Sequence, residues 1–197
     1  VELPDNLEIL GTSAFEWCRD LKYLRLPEKL EVIGNRCFWR NETLTHIELP
    51  SSLKEIGCWG FYECESLQGK ILVSEGVEKI GIEAFCRTKI QELSLPGTLK
   101  KIERNCFLEC NNLENVVIGE GVEILDTCCF DGCTKISSIA LPKSLRKIGR
   151  YSFGNCFDNA DVVIPEGVGG IAFNTFIGDK RLEKVYIPET VKEISAY

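Results

Sequence analysis

Leu21-Lys22-Tyr23-Leu24-Arg25-Leu26-Pro27-Glu28-Lys29-Leu30-Glu31-Val32-Ile33-Gly34 alternates apolar and polar residues as far as Leu26, and beyond Pro27 its apolar residues step by three. Alternation is the period of a strand with one buried face, and the step of three fits a turn that leaves the strand. The continuation through Ile33, Cys37, Phe38, Asn41 and Leu44 is spaced mostly by three to five, which predicts a helical or 3₁₀ return arm. One strand and one arm make a unit, and the unit recurs.

The prolines set the period. Pro4, Pro27, Pro50, Pro96, Pro142, Pro165 and Pro188 lie 23 or 46 residues apart, with Ser74 and Gly119 at the skipped marks. Eleven residues after each of the first eight marks stands a phenylalanine: Phe15, Phe38, Phe61, Phe85, Phe107, Phe130, Phe153 and Phe176. A single unit has an apolar stripe too narrow to close a core, so neighbours must stack and stability must be collective. Eight turns and an incomplete ninth, at about 4.8 Å per strand, predict a stack roughly 40 Å long. Phe61 to Ser74 spans 13 residues and Phe85 to Pro96 only 11, where the other turns have 12. An insertion around Lys70 to Val73 is thus cancelled one turn later, as surface loops allow.

Composition narrows the function classes. The chain has 197 residues, 44% of them hydrophobic and 27% charged, enough to bury a sizeable core. No apolar run approaches a membrane span, and Val1-Glu2-Leu3-Pro4 does not open like a signal peptide. A net charge of −7 argues against nucleic acid, which needs clustered Lys and Arg. Methionine is absent and both ends fall inside a repeat, so residues 1–197 read as one repeat domain cut from something longer.

Leu26-Pro27, Leu30, Ile33-Gly34, Phe38 and Leu44 in one turn, and Leu49-Pro50, Leu53, Ile56-Gly57, Phe61, Cys64 and Leu67 in the next, match the LxxLxLxxxL signature of leucine-rich repeats. The whole unit resembles the 23-residue class of BspA-like and Treponema-type proteins. The resemblance implies an α/β repeat solenoid, right-handed and β-rich, with a parallel strand ladder and short helical or 3₁₀ turns on the return side. It also implies a cell-surface or secreted protein that adheres to host or matrix proteins. Asn159 departs from the pattern where Leu is expected, with Phe157 and Ala160 available to fill the space, and the stretch Val168 to Phe173 lacks the usual charges.

Eleven cysteines invite a disulfide or metal reading, which the repeat register largely removes. Cys18, Cys64, Cys110, Cys133 and Cys156 follow the phenylalanine by three residues, where other turns carry Asn41, Thr88 and Asp179. All are compact and able to hydrogen-bond, as a ladder satisfying neighbouring backbones requires. Cys37, Cys106 and Cys129 precede the phenylalanine, a position held to small residues in every turn. Cys58, Cys86 and Cys128 have no place in either row. The CxxxC spacing of Cys106 and Cys110, or Cys129 and Cys133, is explained by packing without a metal.

Catalysis needs convergent groups, and the chain has one histidine and no GxSxG, P-loop or HExxH motif, so no enzyme and no cofactor are expected. What remains is the outward side of the strands, where Tyr23, Arg25, His46, Glu48, Glu92, Ser94, Asn115, Val117, Ser138, Ala140, Asp161, Val163, Lys184 and Tyr186 should line up turn after turn. A partly apolar centre at Val117, Ala140 and Val163, with Tyr23 and Tyr186 as edge anchors, suits a protein partner. The expected function is therefore non-enzymatic protein binding or adhesion; a structural spacer or self-associating stalk is the alternative, and a thiol redox or metal-binding role a distant third. Trp17, Trp39 and Trp59, gathered in the first three turns, are expected either to pack on the arms or to form a lateral aromatic patch.

Overall fold

The computed structural model describes residues 1–195, and they form a stack of parallel-paired turns. From the fourth turn onward each full turn has two strands, and the earlier turns have the short one alone. The longer ones are β4 (Gln68–Leu72), β6 (Lys89–Leu95), β8 (Asn115–Ile118) and β10 (Ser138–Ala140) in one parallel sheet, with β12 (Asp158–Val163) and β14 (Arg181–Tyr186) in another. Single bridges, Tyr23 to His46 and Ile136 to Phe157, join further turns to this row. The shorter strands have two residues each: β1 (Ile9–Leu10), β2 (Val32–Ile33), β3 (Glu55–Ile56) and β5 (Lys79–Ile80), then β7 (Lys101–Ile102), β9 (Ile124–Leu125), β11 (Lys147–Ile148), β13 (Gly170–Ile171) and β15 (Glu193–Ile194). The short strands pair in register with their repeat equivalents, so Ile33 faces Ile56 and Ile56 faces Ile80, and the long pairs β4–β6 and β12–β14 each contain an irregularity.

Register explains the core. A residue placed inward in one turn is placed inward in all, and Leu24, Leu30, Ile33, Phe38 and Leu44 are buried together with their equivalents in a single apolar cluster. The phenylalanines run through it as a continuous offset stack. From Phe15 to Phe176 their centroids are 5.0–5.9 Å apart and their planes 4–13° from parallel. At the Asn159 irregularity Phe157 and Ala160 are indeed buried, and the Phe157 ring lies 5.6 Å from Phe153.

The return arms differ from expectation, since among the described residues they contain no helical or 3₁₀ segment. Residues two before and two after each phenylalanine are left-handed instead: Arg36 and Arg40 have φ of 54° and 56°, Trp59 and Glu63 56° and 55°, Glu83 and Arg87 57° and 60°. This alternation swings every second N–H along the stack. The amides of Arg36, Phe38 and Arg40 donate to the carbonyls of Cys58, Gly60 and Tyr62 in the next turn at 2.8–2.9 Å, while those of Cys37, Trp39 and Asn41 donate back to Gly34, Arg36 and Phe38. Packed helices need 8–10 Å between axes, whereas the strands hold successive turns near 5 Å. A flat arm that bonds half its amides to its neighbour meets that spacing. Each left-handed non-glycine residue costs about 1–2 kcal/mol, which the cross-turn hydrogen bonds offset at about 0.5–1.5 kcal/mol each together with burial of the ring they flank.

Close approach fixes some glycines. A Cβ on Gly81 would lie 2.4 Å from the Cys58 amide nitrogen of the preceding turn. The one-residue insertion is placed earlier than the sequence suggested. It falls between the inward Leu67 and Ile71, four residues apart where Leu44 and Ile47 are three; Gly69 takes φ 83° there, and the β4–β6 register shifts between Gly69 and Lys70, leaving Gln91 of β6 unmatched. From Lys70 onward the pairing is regular again.

The stack makes a quantitative distinction between interior and terminal rings. Phe107, fully buried between Phe85 and Phe130, should lose about 3–5 kcal/mol on replacement by alanine, and the half-buried Phe176 distinctly less. Equal losses in urea unfolding of Phe107→Ala and Phe176→Ala would contradict a core carried by stacked turns.

Candidate functional site

The outward residues of the long strands fall into two columns. Lys70, Glu92, Asn115 and Ser138 pair in sequence along one, which Tyr23–His46 and Asp161–Lys184 continue at the same repeat position. Leu72, Ser94, Val117 and Ala140 pair along the other, with Val163–Tyr186 beyond them and Arg25 and Glu48 at the equivalent places in the early turns. Every residue anticipated for this face is exposed except Ser94, which is half-buried.

Sequence reading missed Lys70 and Leu72. The extra residue hid them, because counting forward from Phe61 misassigns both; counting back from the inward Ile71 and Val73 recovers them. Leu72 matters most. At 57% exposure it joins Val117 at 53%, Val163 at 62% and Tyr186 at 50% to make the apolar column longer than Val117, Ala140 and Val163 alone. Its polar companion column carries weak, solvated contacts: Lys70 to Glu92 at 3.9 Å and the Tyr186 hydroxyl to Asp161 at 3.4 Å. His46 Nε2 lies 3.2 Å from Glu48 Oε1, with both side chains on the open face.

The cysteine ladder is a backbone device. The thiols of Cys64, Cys110, Cys133 and Cys156 donate to the carbonyls of Phe38, Phe85, Phe107 and Phe130 in the turn before, at 2.7–3.1 Å. Thr88 stands at the same repeat position, but its hydroxyl donates to the Phe85 carbonyl of its own turn at 3.0 Å and lies 3.3 Å from the Cys110 thiol of the next. Asn41 makes no such bond, since both its buried amide atoms lack partners. Asp179 ends the row. Its Oδ1 accepts from the amides of Cys156 and Phe157 at 2.5 and 3.2 Å, its Oδ2 is buried without a partner, and burial raises its pKa to about 6. All eleven cysteines are free thiols, and burial pushes Cys37 up to about 12 and Cys64, Cys86 and Cys129 further still. Among the described residues no three of His, Cys, Asp and Glu converge as a metal site, and no helix is long and apolar enough to cross a membrane.

The tryptophans sit side by side on the arms, interleaved with arginines: Arg40 lies over Trp17 and Trp39, and Arg36 over Trp39 and Trp59, at 4.8–5.9 Å with Arg19 on Trp17. Of the three, Trp17 is exposed, at 41%, and Trp39 and Trp59 are half-buried.

Comparison with known proteins agrees with this geometry. A family model for the BspA type leucine-rich repeat region, in six copies, matches residues 1–114 and 100–197. No curated protein matches the chain. Among solved structures the chain is similar to a T. pallidum leucine-rich repeat protein, with 30% identity over 79% of this chain and 75% of that one and a TM-score of 0.74. It shares its fold with a leucine-rich repeat protein of Bacteroides ovatus, at 19% identity over 98% of this chain and 67% of that one and a TM-score of 0.51.

Two measurements check the interior of the ladder. With an aromatic disulfide reagent at pH 8, the native protein should expose no more than the half-buried Cys18, Cys58 and Cys128, the other eight thiols reacting only after denaturation. Rapid reaction of all eleven in the folded protein would refute the packing role. Asp179 has a folded-state pKa above its ordinary 3.8, so its contribution to stability is present below about pH 4 and lost as pH rises through about 6. Asp179→Asn should therefore raise the melting temperature at pH 7 relative to wild type, by up to about 3 kcal/mol in stability, and leave it unchanged near pH 4; an equal effect at both pH values would exclude the titration.

Proposed function

The chain belongs to the BspA-type leucine-rich repeat family, and from that premise we propose that its strand face is the protein-binding surface of an adhesive, non-enzymatic module in a cell-surface or secreted protein. One observation carries the reading. Leu72, Val117, Val163 and Tyr186 are half or more exposed on a rigid parallel ladder whose register repeats them along a single column. Burying such side chains stabilises a complex by roughly 25 cal/mol per Å² of apolar area, and a preformed sheet loses little conformational freedom on binding. The adjoining polar column, with Lys70, Glu92, Asp161 and Lys184, supplies charges of both signs that would fix a partner's register more than its affinity.

The partner is a protein, of the host or of the extracellular matrix where the module is displayed on a cell. No cofactor is invoked. Capture of matrix proteins on the immobilised chain tests the surface. Leu72→Glu with Val117→Glu and Val163→Glu should abolish capture, as should Tyr23→Ala with Arg25→Ala and Tyr186→Ala, with melting temperatures within a few degrees of wild type because all six side chains are exposed. Undiminished capture by both variants would remove the site from the strand face. Absence of capture by any form would favour a spacer or a self-associating stalk.

A further inference from the structure

The arms of the first three turns carry a cluster that the strand face does not explain. Arg36 lies over two indoles, its Cζ 4.9 Å from the Trp39 centroid and 5.2 Å from that of Trp59. Such cation–π contacts leave its N–H groups free to donate hydrogen bonds. Arg40 and Arg87, further along the arms, have carboxylate partners. Arg40 donates to Glu63, Glu63 also accepts from Arg87, and Arg87 reaches Glu109 at 2.8 Å, so that row is internally neutralised. Arg36, among the described residues, has no ion pair and no hydrogen-bonded acceptor for its side chain.

The space beside it is a cavity of about 230 Å³ lined by Arg36, Trp39, Arg40, Trp59, Tyr62 and Glu83. The Trp39 Nε1–H is shielded from solvent and has no acceptor among the protein's described residues. Glu83 does not supply one. Its two oxygens are taken by Trp59 Nε1 at 3.2 Å and Asn105 Nδ2 at 3.1 Å. The Arg36 guanidinium, over two indoles and with no acceptor of its own, is the free donor beside this space and calls for a planar acceptor with two oxygens.

We propose that this cavity binds a carboxylate side chain presented by an acidic peptide segment of a partner protein. A long polyanion such as nucleic acid or a sulfated polysaccharide fits less well, because it needs a continuous basic track. Here Glu63, Glu83 and Glu109 interrupt the arginines within two turns, so a single carboxylate can be met where a continuous track of anions cannot. The site is independent of the strand face, so either can be lost without the other.

Tryptophan fluorescence reports the site directly, since all three indoles of the chain lie in this cluster. Titration with acetylated, amidated tetra-glutamate should give a saturable change that the tetra-glutamine peptide reproduces at least tenfold more weakly. Arg36→Gln should weaken tetra-glutamate binding tenfold or more. Arg36→Lys, which keeps the charge but not the flat fork, should also weaken it, and Arg150→Gln, at an exposed residue outside the cluster, should leave it within twofold. Coincident thermal melts would show that the variants remain folded, with Arg36→Lys carrying the test if Arg36→Gln does not. Equal binding of the two peptides, indifference to both Arg36 variants, or binding of a heparin-type polysaccharide without binding of tetra-glutamate would overturn the assignment.

Discussion

Every part of this molecule answers to the distance between successive turns. Parallel strands hydrogen-bond at about 4.8 Å, and once they do so the rest of each turn must bond, pack and close at nearly the same interval. Aromatic rings can stack at that separation, so one phenylalanine per turn becomes a column through the core. Thiols can bridge it, so the ladder cysteines reach the carbonyl of the turn before. Helices cannot be packed so closely, and the arms give way to a flattened path of alternating handedness.

That path also organises the surface. A left-handed residue on each side of the phenylalanine lies in register with its equivalents, so side chains there form rows: Arg40, Glu63, Arg87 and Glu109 as alternating charges, Arg36 over Trp59, and Trp59 on Glu83. A partner meeting the arm side would meet rows of chemistry at fixed pitch. The strand side offers another such array, with Leu72, Val117, Val163 and Tyr186 as its apolar members.

The period, the inward residues and most of the outward columns were legible in the sequence, because strand alternation and the proline and phenylalanine marks are strong local signals that tertiary packing reinforces rather than contradicts. The cysteine ladder was legible for the same reason: substitution by Thr88 and Asp179 in equivalent places discloses a hydrogen-bonding role. The arm was not. Left-handed conformation is normally announced by Gly or Asn, and here Arg36, Trp59, Glu63 and Arg87 occupy it, held there by cross-turn bonds that no local propensity reports. Nor did spacing show that arginines would separate the three tryptophans, since Trp17, Trp39 and Trp59 occupy three different positions of the repeat and meet only because adjacent arms are so close.

The bulge at Gly69 can be viewed as a defect in a one-dimensional crystal. An added residue would ordinarily shift the phase of everything downstream, yet the lattice is restored at Lys70, and the shortened arm of the following turn returns the chain to step. The fault is quenched within one lattice spacing instead of propagating. Insertions and deletions can therefore accumulate in such a chain without mutual interference, provided each is healed before the next ring of the aromatic column is laid down, and the recognition arrays on either side of a fault remain commensurate with each other.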